Sequence, residues 1–244
     1  MKYDADQVRD ETCQELVETI AQFIQSKDVR TRTEIGVILS QHLECALPRT
    51  ASEIDERREW IARLWIGVVD TLGANRDRWS NDLSCISDDA WADILSESDS
   101  QDPKPEEFPE RLETSLCRGR VDAARTHLES NQAIFDWLEA SIGRKVRREL
   151  NLTYIYYKRP GQVCGVHIDH ESVFPYNCLI GLRHQPSSSG EMSCLRLYMP
   201  QSYDDIVVPV HGAVLFNSSR TPHGRTPIAA GEQVQLLSIG VVPL

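Results

Sequence analysis

Two histidines and one aspartate are the residues of this chain best suited to chemistry. His167 and Asp169 close the stretch Gly161-Gln162-Val163-Cys164-Gly165-Val166-His167-Ile168-Asp169, and His223 lies in Pro222-His223-Gly224-Arg225. Two imidazoles and a carboxylate form the donor set that grips a non-haem Fe(II) from one side and leaves coordination positions open for other ligands. The His-x-acid pattern alone says little, because seven His and 37 acids in 244 residues predict about one such pair by chance. The chain has three: His42/Glu44, His127/Glu129 and His167/Asp169. The first two fall in helix-patterned stretches, where positions i and i+2 point to different sides and suit a solvated surface. The third ends a β-patterned run, where i and i+2 share a face and can chelate together. His223 follows the apolar run Ala213-Val214-Leu215-Phe216 and a polar turn, as a third ligand returning across a barrel should. His170, adjacent to Asp169, faces away on a regular strand, and His184 and His211 lie beside loop residues.

The elements that must position these groups divide the chain in two. Apolar residues recurring at three and four predict helices over 5–27, over 33–45, and from Ser52 to a stop at Gly73, the last with Ile54, Trp60, Ile61, Leu64, Trp65, Val68 and Leu72 on one stripe. Ser87-Asp88-Asp89 reads as a cap for a short helix containing Trp91, Ile94 and Leu95. Residues 96–109, acidic and proline-rich, read as a surface loop. The period returns over 121–142, closed by Gly143. After Glu149 the texture becomes β-rich, with runs at 152–157, 163–169, 176–182, 192–199, 206–210, 213–216 and 233–242. Seven or more strands suit a two-sheet sandwich or jelly roll. The expected fold class is therefore α+β: an N-terminal helical part, 1–150, packed against a C-terminal jelly roll, 151–244, as one compact unit.

A formal net charge of -11 excludes a nucleic-acid or anionic-membrane surface as the main partner, since phosphate binding needs clustered Lys and Arg. Small molecules or a basic partner fit better. No apolar stretch approaches the ~18 residues of a membrane span and no signal-peptide pattern opens the chain, so a soluble, cytoplasmic protein is expected. The seven cysteines are an odd number with no Cys-x-x-Cys pair, and read as reduced thiols.

Taken together these stretches resemble the Fe(II)/2-oxoglutarate-dependent dioxygenases, in particular the prolyl-hydroxylase-like branch. The resemblance covers about 152–242. Pro160-Gly161-Gln162 stands where that family has its turn before the first ligand. The run from Tyr176 to Leu182 resembles its following core strand, and Ser189-Gly190-Glu191-Met192 its Gly-rich turn. The run from Pro209 to Phe216 resembles the strand before the distal ligand, and the run from His223 to Ile228 with Gly231 the ligand turn.

The resemblance implies a double-stranded β-helix that binds Fe(II) through His167, Asp169 and His223. It also implies 2-oxoglutarate and O2 as co-substrates, with decarboxylation to succinate and CO2 coupled to substrate oxidation. Many members carry an Arg or Lys about ten residues after the distal His to pair with the far carboxylate of 2-oxoglutarate; here that residue is Gln233. The anchor then falls to Arg225, Arg183 or Arg196, with Tyr157 or Tyr156 completing the pocket. Asp169 itself favours oxygenation over halogenation, because halogenating relatives leave that ligand position open. The expected reaction is oxidation of a C–H bond in an amino acid or biosynthetic intermediate. The alternatives are a protein or peptide hydroxylase, an iron oxygenase that does not use 2-oxoglutarate, and a non-catalytic cupin-like binding protein.

Overall fold

The computed structural model describes residues 78–108, 114–169, 173–199 and 202–244. It also describes Thr19, Gln22, Phe23, Arg58, Glu59, 61–63, Trp65 and Ile66, all helical. The helices expected over 5–27, 33–45 and from Ser52 to Gly73 otherwise lie outside the described residues, as do His42, Glu44 and His170.

Ten strands and three α-helices follow in the described chain. β1 (Arg78–Asn81) is followed by α1 (Asp88–Ser100), β2 (Leu116–Arg118), α2 (Asp122–Glu129) and α3 (Gln132–Ile142). The remaining strands are β3 (Asn151–Tyr157), β4 (Cys164–His167), β5 (Tyr176–Gln185), β6 (Leu195–Tyr198), β7 (Tyr203–Ile206), β8 (Ala213–Phe216), β9 (His223–Arg225) and β10 (Gln233–Val241). A large sheet runs in the order β1-β8-β5-β10-β3-β2 and a small one in the order β4-β9-β6-β7. All pairings between these strands are antiparallel. This is the expected α+β jelly roll, a double-stranded β-helix. β1 and β2, both from the first 150 residues, join its large sheet.

Strand alternation explains the layering. Leu179, Val214, Phe216, Val234 and Leu236 of the large sheet meet Leu195 and Leu197 of the small sheet in one apolar cluster inside the roll. Their immediate neighbours Ile180, Ala213, Leu215 and Leu237 point the other way, into a second cluster with Ile94, Leu128, Phe135 and Leu138 of the helices. The register of β5 against β10 shifts at Gln235/Leu236, where β5 carries the extra residue Leu182. On the far side of the small sheet, helical Ile61, Ala62, Trp65 and Ile66 pack on Val166 and Tyr198. No helix among the described residues is long and apolar enough to cross a membrane.

Several local expectations shift. Ser87 caps α1 as read, its Oγ accepting from the Ala90 N–H at 3.3 Å, but the helix continues to Ser100 through residues read as loop. It continues because Ser98, fully buried, is held by the Tyr156 hydroxyl, which donates to its carbonyl at 2.8 Å. The single helix expected over 121–142 is two, broken where Asn131 caps α3 by accepting from Ala133 and Ile134. Gly143 closes α3 at φ 74°. The strand expected at 206–210 lies instead at Tyr203–Ile206. Arg196 and Asp205 form a two-bond fork at 2.7 Å that fixes this register on a charged edge strand.

Candidate metal centre

His167 is the last residue of β4 and His223 the first of β9, and the two are direct partners across that strand pair, ring centroids 4.3 Å apart. β4 is irregular between Cys164 and His167, and Asp169 lies just past its end. The Asp169 N–H donates to the Ser218 carbonyl at 3.0 Å, and this bond brings the carboxylate back beside the imidazoles. Asp169 Oδ1 is 3.4 Å from His167 Nε2 and Oδ2 is 3.7 Å from His223 Nε2. One donor atom from each residue lies within 4.8 Å of the others.

The backbone selects the tautomers. His167 Nδ1 is 2.8 Å from the Gly165 carbonyl and His223 Nδ1 is 2.9 Å from the Thr221 carbonyl. A carbonyl only accepts, so each Nδ1 carries the proton and donates it, and both Nε2 atoms turn toward Asp169. Two imidazole nitrogens and a carboxylate converging in this way match the donor chemistry of a divalent transition metal.

The electrostatics agree. Burial and the neighbouring His167 push the His223 pKa down to about 4, so it stays neutral. Burial opposes charge on His167 as well, but the Cys164 sulfur and the Asp169 carboxylate outweigh it and hold its pKa well above the usual histidine value. Asp169 is held below the usual carboxylate range, the two imidazoles and Asn177 overcoming its burial. A divalent ion must therefore displace one proton, from His167. Calorimetric titration of Mn(II) near neutral pH, in buffers of different ionisation enthalpy, is expected to report release of about one proton, with affinity falling as pH falls.

Asn177 on β5 donates its amide to Asp169 Oδ2 at 3.0 Å, while its Oδ1 accepts from Ser238 Oγ of β10 at 3.0 Å. The serine thus fixes the amide so that its NH2 faces the carboxylate. Asn177→Leu is expected to cost roughly 10- to 100-fold in Mn(II) affinity, the range for groups that orient a metal ligand; the same titration checks it.

Beside the triad lies a cavity of about 190 Å³ lined by Tyr157, Cys164, Arg225, Leu179, Leu195 and Leu236 as well as His167, Asp169 and His223. Arg225 follows His223 by two on β9, hence on the same face. It is 3% exposed, with its guanidinium 5.1 Å from the centre of the Tyr157 ring. Its Nε and Nη2 donate to Ser193 Oγ and to the Ser193 carbonyl, both at 3.1 Å. Ser193 in turn donates from N and Oγ to Glu232 Oε1 at 2.6 and 2.7 Å. Glu232, 1% exposed, also meets His184 Nε2 at 2.6 Å and accepts from the Ala229 N–H at 2.9 Å. Burial lowers the Arg225 pKa, yet a guanidinium stays protonated and Glu232 stands behind it as counter-charge.

The other anchor candidates lie elsewhere. Gln233 is exposed at the start of β10. Arg183 forms an exposed fork with Asp99, both bonds 3.1 Å, and Arg196 pairs with Asp205. Tyr156 points into the helix-facing core, so Tyr157 is the tyrosine at the cavity. His127 meets Asp93 at 2.9 Å on the surface, and His211 stacks on Trp91. Sequence reasoning missed Asn177, Ser193, Glu232 and Arg58. It placed His184 beside a loop, but His184 lies on β5, whose paired length extends past its apolar run.

No protein-family sequence model matches the chain, and no curated protein matches it. Solved structures do. The α-ketoglutarate-dependent non-haem epimerase SnoN from nogalamycin biosynthesis superposes with TM-score 0.52 at 13% identity, over 69% of this chain and 78% of that one. A prolyl hydroxylase from Trichoplax adhaerens, in complex with a hypoxia-inducible-factor peptide fragment, gives 0.51 at 16% identity, over 78% and 93%. At these identities the likeness establishes the fold, the jelly roll of these oxygenases.

Proposed function

We propose that this chain is an Fe(II)- and 2-oxoglutarate-dependent oxygenase that oxidises, chiefly by hydroxylation, a C–H bond of a small molecule such as an amino acid or biosynthetic intermediate. One observation carries the reading. Two imidazole Nε2 atoms and a carboxylate converge beside a cavity, and a buried guanidinium stands two residues along the same strand. A metal site with an adjoining cation suits a ligand that chelates through one end and carries a carboxylate at the other. Fe(II) held by His167, Asp169 and His223 supplies the O2 chemistry that couples 2-oxoglutarate decarboxylation to substrate oxidation.

The chain's own groups do the rest. Arg225 binds the far carboxylate by charge-assisted bonds, about twice as strong as neutral ones, in place of a basic residue at Gln233. Tyr157 lies beside that carboxylate and limits its reorientation. Leu179, Leu195 and Leu236 keep water from the walls, which strengthens each electrostatic contact inside. The cavity of about 190 Å³ holds about six waters' worth of volume at ~30 Å³ each, the scale of one five-carbon diacid. Substrate therefore meets the site at its mouth.

SnoN, named for the biosynthesis of a small molecule, supports the small-molecule reading. The Trichoplax hydroxylase with its bound peptide supports the alternative of a peptide substrate. The test is anaerobic titration with Fe(II) and 2-oxoglutarate, followed by aerobic assay of succinate. A metal-to-ligand charge-transfer band, absent in His223→Ala, is expected. Metal uptake without the band would favour an oxygenase independent of 2-oxoglutarate, and no uptake of Fe(II), Mn(II) or Ni(II) would leave a non-catalytic jelly roll.

A further inference from the structure

We propose that Arg58, a helical residue distant in sequence, is a positioning residue that holds the dicarboxylate end of the cavity in register. This role rests on the proposed use of 2-oxoglutarate. Arg58 Nη2 donates to the Cys164 carbonyl at 2.9 Å and to the Arg225 carbonyl at 2.5 Å, across sequence separations of 106 and 167 residues. Cys164 and Arg225 are themselves register partners at one end of the β4–β9 pair, and His167 and His223 are partners at the other. Between the two ends the ladder is irregular. Arg58 adds a side-chain donor to one carbonyl on each strand and so ties the paired end of the ladder together.

The local sequence leaves room for it. A Cβ on Gly224 would lie 2.7 Å from the Cys164 carbonyl oxygen and 3.1 Å from Arg58 Nη2, so the residue between His223 and Arg225 must lack a side chain for the guanidinium to reach both strands. Arg58 is 8% exposed, and its helix is seated by Ile61 and Trp65 against Val166 and Tyr198. No ion pair to a carboxylate holds it among the described residues. Packing alone does not call for a cation there: a hydrocarbon side chain would fill the space without burying a charge. What the guanidinium adds is a grip on the backbone of Arg225, whose own guanidinium is fixed from the opposite side by Ser193.

Holding the anchor end rather than the ligand end makes the role separable. The full chain is titrated anaerobically with Mn(II) alone and then, at saturating Mn(II), with 2-oxoglutarate, for the wild type, Arg58→Met and Arg58→Lys. In Arg58→Met, 2-oxoglutarate affinity is expected to fall at least tenfold while Mn(II) affinity changes less than threefold. Arg58→Lys, which keeps the cation on a shorter arm, should lie between the two with Mn(II) affinity unchanged. If Arg58→Met does not fold, Arg58→Lys decides: a drop of threefold or more for 2-oxoglutarate alone supports the role. Equal losses for both ligands, or no loss for either, in a folded variant overturn it and leave Arg58 a general structural residue. A wild type that binds Mn(II) but no 2-oxoglutarate instead overturns the reading of the site, and this role with it.

Discussion

Asp169→Ala is expected to lose more than ~100-fold in Mn(II) affinity, beyond the 10- to 100-fold cost typical of a group that only orients a ligand. Asp169 is the one negative charge in the donor set, and it is ionised in place because the two imidazoles and Asn177 hold its pKa down against burial. Without it two neutral imidazoles face the ion alone. The readout need not be activity. A ligand at 100 times its Kd stabilises the native state by ~2.7 kcal/mol, and 1 kcal/mol moves the Tm of a chain this size by about 2–4 °C. Wild type at such a Mn(II) excess should therefore gain roughly 5–10 °C, and Asp169→Ala close to none. An undiminished metal-induced shift in the variant would remove Asp169 from the site.

The second large effect is at Arg225. Arg225→Met is expected to weaken 2-oxoglutarate binding by about 100- to 5,000-fold, because breaking a buried charge pair costs about 3–5 kcal/mol. It should also destabilise the fold, since Glu232, 1% exposed, loses the cation that stands behind Ser193. The two consequences come apart in the double variant Arg225→Met/Glu232→Gln, which removes both charges. It should regain part of the lost stability and none of the affinity. Arg225→Lys should recover only part of the affinity, because a point charge cannot hold Ser193 by both its hydroxyl and its carbonyl. Denaturant melts and calorimetry measure the two quantities separately. Wild-type-like 2-oxoglutarate affinity in Arg225→Met would move the anchor elsewhere.

The residues that were legible in the sequence share a physical reason. Each is placed by an apolar β run that reads without its partner strand: His167 and Asp169 close one, where period two assigns a face, and His223 and Arg225 follow Ala213–Phe216. Gly143 was legible because a left-handed helix end needs it, and the core strands of the roll were legible because they are buried on both faces and read as apolar runs. What escaped depends on the partner. β1, β2 and β9 are three or four residues each, largely polar, and become strands only by pairing with neighbours already in place. The break at Asn131 was hidden because the apolar period continues through it into α3. Asn177, Ser193 and Glu232 have no local signature, since an amide, a hydroxyl and a carboxylate read as surface until their partners, 8 to 39 residues away, are known. The same holds for Arg58, whose two acceptors are backbone atoms more than a hundred residues on.

The placement of His223 and Arg225 on one three-residue strand has a consequence for which acids the cavity accepts. Two residues along a strand advance about 6–7 Å, and Gly224 between them adds no side chain that would alter the step. Under the proposed function, β9 works as a gauge of fixed length, with His223 as metal ligand at one end and Arg225 as the cation at the other. A diacid one carbon shorter or longer than the gauge can satisfy either end but must strain to satisfy both. Selectivity for chain length is therefore built into the backbone spacing, and altering it calls for a change in the strand rather than in the pocket walls.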